Sequence, residues 1–166
     1  MKRRDFIIGI LALTAAPLLA SRANGSMEKP KTMGKTEKLE LSEKEWKQRL
    51  TPEQFHILRD EGTEPPHSSA LNKEKRTGTY VCAGCEHPLF MSDMKYDSGT
   101  GWPSFFTTLP NAVETKIDFK LIYPRTEYHC ARCGGHQGHV FKDGPKPTGK
   151  RYCNNGLALK FIPNES

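Results

Sequence analysis

Residues 130–155, CARCGGHQGHVFKDGPKPTGKRYCNN, concentrate the side chains able to do chemistry. They hold a Cys-x-x-Cys pair (Cys130, Cys133), two histidines three apart (His136, His139), and Cys153 two residues before Asn155. A second Cys-x-x-Cys pair, Cys82 and Cys85, lies upstream. Each pair is a hook of two sulfurs that can grip one ion, and zinc favours four such ligands in a tetrahedron. The 44 residues between the hooks exceed the spacing of an ordinary zinc ribbon, so the ion would pin two distant segments together. Such sites contribute roughly 10–16 kcal/mol of binding free energy that is also folding free energy. With four sulfurs the ion has no open position, and its role is structural. Paired cysteines in an exported chain also fit one or two disulfides. The chain has five cysteines, however, and the fifth, Cys153, has no partner near it in sequence.

On a strand, Arg151, Cys153 and Asn155 would share one face. A cation beside the thiol would favour the nucleophilic thiolate. The same pattern fits an inert thiol on a core strand. His136 and His139, in the glycine-rich segment GGHQGHV, can orient a polar oxygen and supply a proton; a second metal pair or two surface histidines would look the same. In Gly99-Thr-Gly-Trp-Pro-Ser-Phe105, two glycines and a proline fix a turn. That turn could present Trp102 as the wall of a small apolar pocket, or bury it as a core tryptophan. Taken together, the groups suit a thiolate attacking an electrophilic sulfur whose oxygen must be protonated to leave. A methyl-sized group would rest on Trp102. That substrate is a methionine sulfoxide.

The elements that must position these groups are short. The chain has 166 residues, one domain's worth once a leader is set aside. Residues 1–23 combine a basic start (Lys2, Arg3, Arg4), an apolar run and a Ser21-x-Ala23 cleavage pattern. Arg3-Arg4-Asp5-Phe6-Ile7 resembles a twin-arginine export signal, which implies a periplasmic location. Any contact with a membrane is expected only through that signal. It also carries about half of the formal net charge of +6. With no basic run interleaved with aromatics, nucleic acid is not an expected partner.

Residues 24–40 are polar and aperiodic and read as a flexible linker, leaving 41–166 as the folded domain. Ser42 and Glu45 form a capping box for a first helix, with Leu41 and Trp46 as its hydrophobic staple. Thr51-Pro52-Glu53-Gln54 opens a second helix, whose buried face is Phe55, Ile57 and Leu58 and whose end is Gly62. From residue 79 the pattern is of short strands: 79–82, 89–91, 112–118, 120–123, 127–130, 139–141 and 151–161. The expected fold is mainly β, in antiparallel strands with small N-terminal helices.

Five segments, LTPEQFHILRDEGTEPP, YVCAGCEHPLF, YDSGTGWPSF, CARCGGHQGHVFKDGP and RYCNN, resemble in content and order the type B methionine sulfoxide reductases. They span residues 50–161 almost continuously. The resemblance implies a pair of antiparallel sheets, zinc held by Cys82, Cys85, Cys130 and Cys133, and Cys153 as nucleophile. Trp102, His136, His139 and Asn155 would line the site. It further implies reduction of the R epimer at sulfur through a Cys153 sulfenic acid, which a thioredoxin-like or other thiol reductant restores. Many members carry a resolving cysteine in the turn before GWPSF, where this chain has Thr100. An external thiol acting directly on Cys153 is therefore expected. Gln137, Asn154 and Gly156 also depart from the family's usual residues around the site, as does His67. A monomer is expected. A non-catalytic zinc-ribbon module that binds other macromolecules is the other class of protein these hooks allow; it would leave Cys153, Trp102 and the histidines without a shared purpose.

Overall fold

The computed structural model describes residues 36–119 and 123–165. The expected leader, most of the expected linker and residues 120–122 of one expected strand lie outside them. The two helices start as their sequences dictate. Ser42 and Glu45 close a reciprocal capping box on α1 (Glu43–Arg49), and Thr51 and Gln54 close another on α2 (Pro52–Asp60). Trp46, Ile57 and Leu58 are buried, with Leu41 and Phe55 packed against them. Glu61, in the left-handed conformation, closes α2 one residue before the expected Gly62.

Nine strands follow: β1 (Gly78–Cys82), β2 (Pro88–Met91), β3 (Lys95–Tyr96), β4 (Ser104–Phe105), β5 (Val113–Asp118), β6 (Arg125–Cys130), β7 (His136–Phe141), β8 (Arg151–Asn154) and β9 (Leu159–Pro163). Among the described residues they form two antiparallel sheets. One has the order β2-β1-β9 and the other β3-β4-β8-β7-β6-β5. The mainly β fold with two antiparallel sheets and short N-terminal helices is as expected.

Two expectations change. The strand expected over 151–161 is two strands in different sheets, broken by a single helical turn at Gly156–Ala158. Residues 36–40, expected as the end of the linker, also contact the folded domain. Leu39 donates its N–H to the Arg132 carbonyl (2.7 Å) and packs on the core, and the Thr36 hydroxyl donates to the Asn111 carbonyl (3.1 Å).

Aromatic rings fill the space between the sheets. Phe90 of the smaller sheet stacks on Phe105 of the larger at 3.9 Å, and Tyr80 meets Phe105 edge-on at 5.0 Å. Tyr128 and Tyr152 continue the cluster. Burying these rings on one face of the larger sheet leaves its other face for polar side chains.

Candidate active site and metal centre

The two cysteine hooks are built alike. Each begins at a strand end, Cys82 closing β1 and Cys130 closing β6. In each, the first cysteine's carbonyl accepts an N–H from the residue after the second cysteine: Glu86 to Cys82 (2.8 Å) and Gly134 to Cys130 (2.9 Å). Glu86 and Gly134 both have positive φ, 59° and 67°. The four sulfurs are buried, free of disulfides and within 4.8 Å of one another. Cys82 and Cys133 lie 3.7 Å apart, and Cys85 and Cys130 3.5 Å. Tetrahedral zinc–thiolate bonds would set sulfurs about 3.8 Å apart, so the cluster fits such an ion without rearrangement. In the cluster without an ion, neighbouring sulfurs push the Cys82 thiol up and pull the Cys133 thiol down, Cys130 acting most strongly on each. A cation would relieve that conflict by ionising all four. Because the hooks end strands of different sheets, an ion here staples the sheets together.

The second site lies on the polar face of the larger sheet. Strand register places Lys116, Glu127, His139, Cys153 and Ser104 in one row across β5, β6, β7, β8 and β4. Cys153 opens on a cavity of about 140 Å³ whose lining includes Thr63, Trp102, Arg125, His139, Phe141 and Asn155. Gly138 has a φ of 158°, at which an added Cβ would lie 1.9 Å from the Cys153 carbonyl oxygen.

Trp102 reaches the cavity from a turn in which Gly99 and Gly101 adopt φ of 71° and 91°. Its indole N–H donates to the Glu64 carbonyl (3.1 Å). The buried Glu64 carboxylate accepts the backbone N–H groups of Gly156 (2.6 Å) and Leu157 (2.9 Å), and the Glu64 N–H donates to Asn155 Oδ1 (3.1 Å). Glu64 thus ties the tryptophan wall to the turn that follows Cys153. Asn155 lines the same cavity as Cys153, from one residue beyond the end of β8. Its Nδ2 donates one hydrogen to the Gln137 carbonyl (3.1 Å), so Asn155 is anchored to the scaffold through both ends of its amide.

Each histidine is held by a carboxylate. His139 Nε2 lies 2.8 Å from Asp118 Oδ2, which also accepts from Arg125 (2.6 Å). His136 Nδ1 lies 2.8 Å from Glu127 Oε1. Of the pair only His139 lines the cavity; His136 is buried behind it, the rings 5.6 Å apart, and His136 Nε2 has no partner among the described residues. Burial pushes the His136 imidazole below its ordinary value, with Glu127 pulling the other way.

Arg151 binds Asp143 through two nitrogens (2.9 and 2.8 Å) and caps the Phe141 ring at 4.3 Å. It was expected to favour the Cys153 thiolate. Burial nonetheless pushes the thiol up; Arg151 pulls the other way as expected, by its charge and a side-chain hydrogen bond, with Thr100 on its side and Asp143 against it.

Asp118, Arg125, Glu127 and Glu64 were not anticipated. The carboxylates of Asp118 and Glu127 meet the histidines only through strand register, and nothing local in sequence marks them.

Of the departures, Gln137 and Asn154 are fully buried and face each other, Asn154 Nδ2 donating to Gln137 Oε1 (3.4 Å). Gln137 Nε2 reaches Cys82 Sγ (3.4 Å), and the Tyr128 hydroxyl donates to Asn154 Oδ1 (2.5 Å). Two unusual polar residues therefore satisfy each other in the space between metal centre and cavity. Gly156 is needed where it stands, since a Cβ there would lie 2.0 Å from Ser69 Oγ.

Residues 50–163 match the SelR domain. The chain is 51% identical over 143 residues to the chloroplastic peptide methionine sulfoxide reductase B1 of Arabidopsis thaliana, covering 84% of this chain and 71% of that protein. It is 54% identical over 121 residues to the peptide methionine sulfoxide reductase MsrB of Leptospira interrogans, covering 72% and 92%. Against the mitochondrial methionine-R-sulfoxide reductase B2 of Rattus norvegicus it is 47% identical over 136 residues, covering 77% and 78%. With the matched domain spanning both hooks, Trp102, the histidines and Cys153, this chain belongs to the SelR-domain family, the type B methionine sulfoxide reductases.

Proposed function

We infer that the chain is an oxidoreductase that reduces methionine R-sulfoxide to methionine at the expense of thiols. The observation that carries this reading is the position of its one unclustered thiol: Cys153 faces a small cavity with Trp102 as a wall and the Asp118-held His139 beside it. Trp102 and Phe141 receive the methyl end of the side chain, and the sulfoxide oxygen turns toward His139.

The Cys153 sulfur attacks the sulfoxide sulfur. The oxygen ends on Cys153 as a sulfenic acid, carrying the proton the thiol gave up, and the substrate sulfur gains the two electrons that Cys153 loses. His139, held in register by Asp118, is placed to hand the proton to the departing oxygen. His136, backed by Glu127, is placed to exchange one with His139. Glu64 fixes the wall and the turn, and Asn155, anchored to the same scaffold, lines the cavity beside the sulfoxide.

Two external thiols complete the cycle. One attacks the sulfenic sulfur with loss of water, and the second releases Cys153 from the mixed disulfide. A thioredoxin-like protein is the proposed donor, since the other four cysteines lie in the metal centre and Thr100 stands in the turn before Trp102. We propose zinc as the ion, and export of the chain to the periplasm by the twin-arginine route on the strength of its Arg3-Arg4 start. Full retention in the cytoplasm of a host competent for that route would rule the route out.

The test is a peptide bearing racemic methionine sulfoxide, incubated with dithiothreitol and followed by chromatography. The R epimer alone is expected to be consumed, and Cys153→Ser is expected to lower the rate at least a thousandfold. Consumption of neither epimer by folded, metal-loaded protein would leave a zinc-stabilised binding module. A disulfide containing Cys153, found by mass spectrometry after one turnover without external thiol, would overturn direct recycling.

A further inference from the structure

Two side-chain amides, Gln137 and Asn154, lie fully buried between the metal centre and the nucleophile. Gln137 Nε2 is 3.4 Å from Cys82 Sγ and 3.4 Å from the Gly135 carbonyl oxygen. Gln137 Oε1 is 3.4 Å from Asn154 Nδ2. Asn154 Nδ2 also donates to the Asn155 carbonyl (2.8 Å), and Asn154 Oδ1 accepts from the Tyr128 hydroxyl (2.5 Å).

The two ends of an amide are told apart by their partners. A carbonyl can only accept, so the end of Asn154 that faces the Asn155 carbonyl is its nitrogen. Its oxygen then meets the Tyr128 hydroxyl, and its second hydrogen points to Gln137. The end of Gln137 facing Asn154 is therefore oxygen, and the end facing Cys82 is nitrogen. The Gly135 carbonyl gives the same answer from the other side. A reversed Gln137 would set its oxygen against a carbonyl oxygen and a sulfur at once, in a fully buried place. Its direction is thus fixed at both ends, and the Cys82 sulfur meets an N–H that cannot turn away.

We propose that Gln137 is a positioning residue of the metal centre, its side-chain N–H holding the Cys82 thiolate in place as a ligand, and that Asn154 sets its direction. The proposal rests on the reading of the four cysteines as a metal centre. A divalent ion on four thiolates keeps a net negative charge in a buried place, and a fixed donor both draws on that charge and orients the sulfur. Two arginines also reach the hooks, but at main-chain oxygens: Arg59 donates to the Cys133 carbonyl (3.0 Å) and Arg132 to the Cys85 carbonyl (3.0 Å). Gln137 faces the nucleophile as well. Its own carbonyl accepts the backbone N–H of Asn155 (2.8 Å) and Asn155 Nδ2 (3.1 Å), so the residue that steadies Cys82 is bonded to the turn after Cys153.

The experiment reads the metal itself, on the full chain. With cadmium-113 in place of zinc, a scalar coupling is expected between the metal and a side-chain amide proton of Gln137, carried through the N–H···S contact. Gln137→Met keeps the length of the side chain and removes the donor. In the cobalt-loaded chain it is expected to move the sulfur-to-metal charge-transfer band to longer wavelength, and in the zinc-loaded chain to speed metal release to a chromogenic chelator about tenfold. Asn154→Ala, which removes the partner of the Gln137 oxygen, is expected to give smaller changes of the same sign. An unchanged band and release rate in Gln137→Met would overturn the proposal, and unchanged values in Asn154→Ala would remove Asn154 from it. The coupling is measured on wild type and needs no variant to fold. A chain that binds no metal fails the reading of the centre, whereas one cadmium per chain without the coupling fails this proposal alone.

Discussion

At the scale of single residues, the site is governed by buried groups whose charge depends on one neighbour. His136 is the clearest. Its imidazole is held below the ordinary value by burial, so in the window that opens as pH falls through about 6.5 the unfolded chain takes up a proton there that the folded chain resists. Stability is therefore expected to be level above that window and to fall through it, by up to about 1.4 kcal/mol per pH unit for one such group. His87, also lowered by burial, adds to the slope. Thermal midpoints of wild type and His136→Asn across pH 5–7.5 check this: the variant is expected to show the shallower decline, and parallel curves would assign the slope to His87. Much of the site is legible at this scale. Cys-x-x-Cys spacing is a local signal for a metal hook, and an odd cysteine is conspicuous. Asp118, Glu127 and Glu64 carry no such signal, because what makes each of them matter is a partner 9 to 92 positions away.

At the scale of elements, the critical junction is between β7 and β8. At Gly138 the backbone would turn any side chain into the Cys153 carbonyl of the neighbouring strand. Gly138→Ala is expected to separate the pair locally, shift Cys153 relative to His139, and cost at least 2 kcal/mol in stability, within the range of overpacked cores. Urea unfolding measures the stability. The reductase rate is expected to fall tenfold or more even where the variant is fully folded. Sequence pattern is a weaker guide here than at residue scale. Capping boxes mark both helix starts because the cap is a local hydrogen-bond pattern. β3 and β4, at two residues each, are too short to show any alternation. Residues 151–161 look like one strand because their apolar content is continuous. Only the turn held by Glu64 reveals that the chain changes sheets there.

At the scale of the whole molecule, the metal centre joins what the chain topology leaves apart. Cys82 and Cys85 belong to the smaller sheet and its turn, and Cys130 and Cys133 to the larger. One equivalent of zinc is expected per chain by elemental analysis. Its removal by chelator at neutral pH is expected to abolish cooperative thermal unfolding, since binding energy of this size exceeds the stability of most domains. A chelated protein that kept its melting transition would show that the aromatic layer between the sheets suffices. The mainly β, antiparallel character was legible in the succession of short strands, whereas the pair of sheets was implied only by the family resemblance. The join at 36–40 was not legible, because those polar residues are held by scattered hydrogen bonds, an ion pair of Lys38 with Glu114 and a single half-buried leucine, Leu39.

The clustering of four sulfurs away from the fifth also sets how the protein meets an oxidant. With an ion bound, Cys82, Cys85, Cys130 and Cys133 are buried, ligated and poor targets, whereas Cys153 opens on the cavity. Hydrogen peroxide or hypochlorous acid arriving from solvent therefore finds one accessible thiol. On the mechanism proposed above, the sulfenic acid that results is the intermediate formed and cleared on every turnover. The first oxidative lesion on this molecule is one it is equipped to survive, and inactivation waits for a second oxidation at the same sulfur.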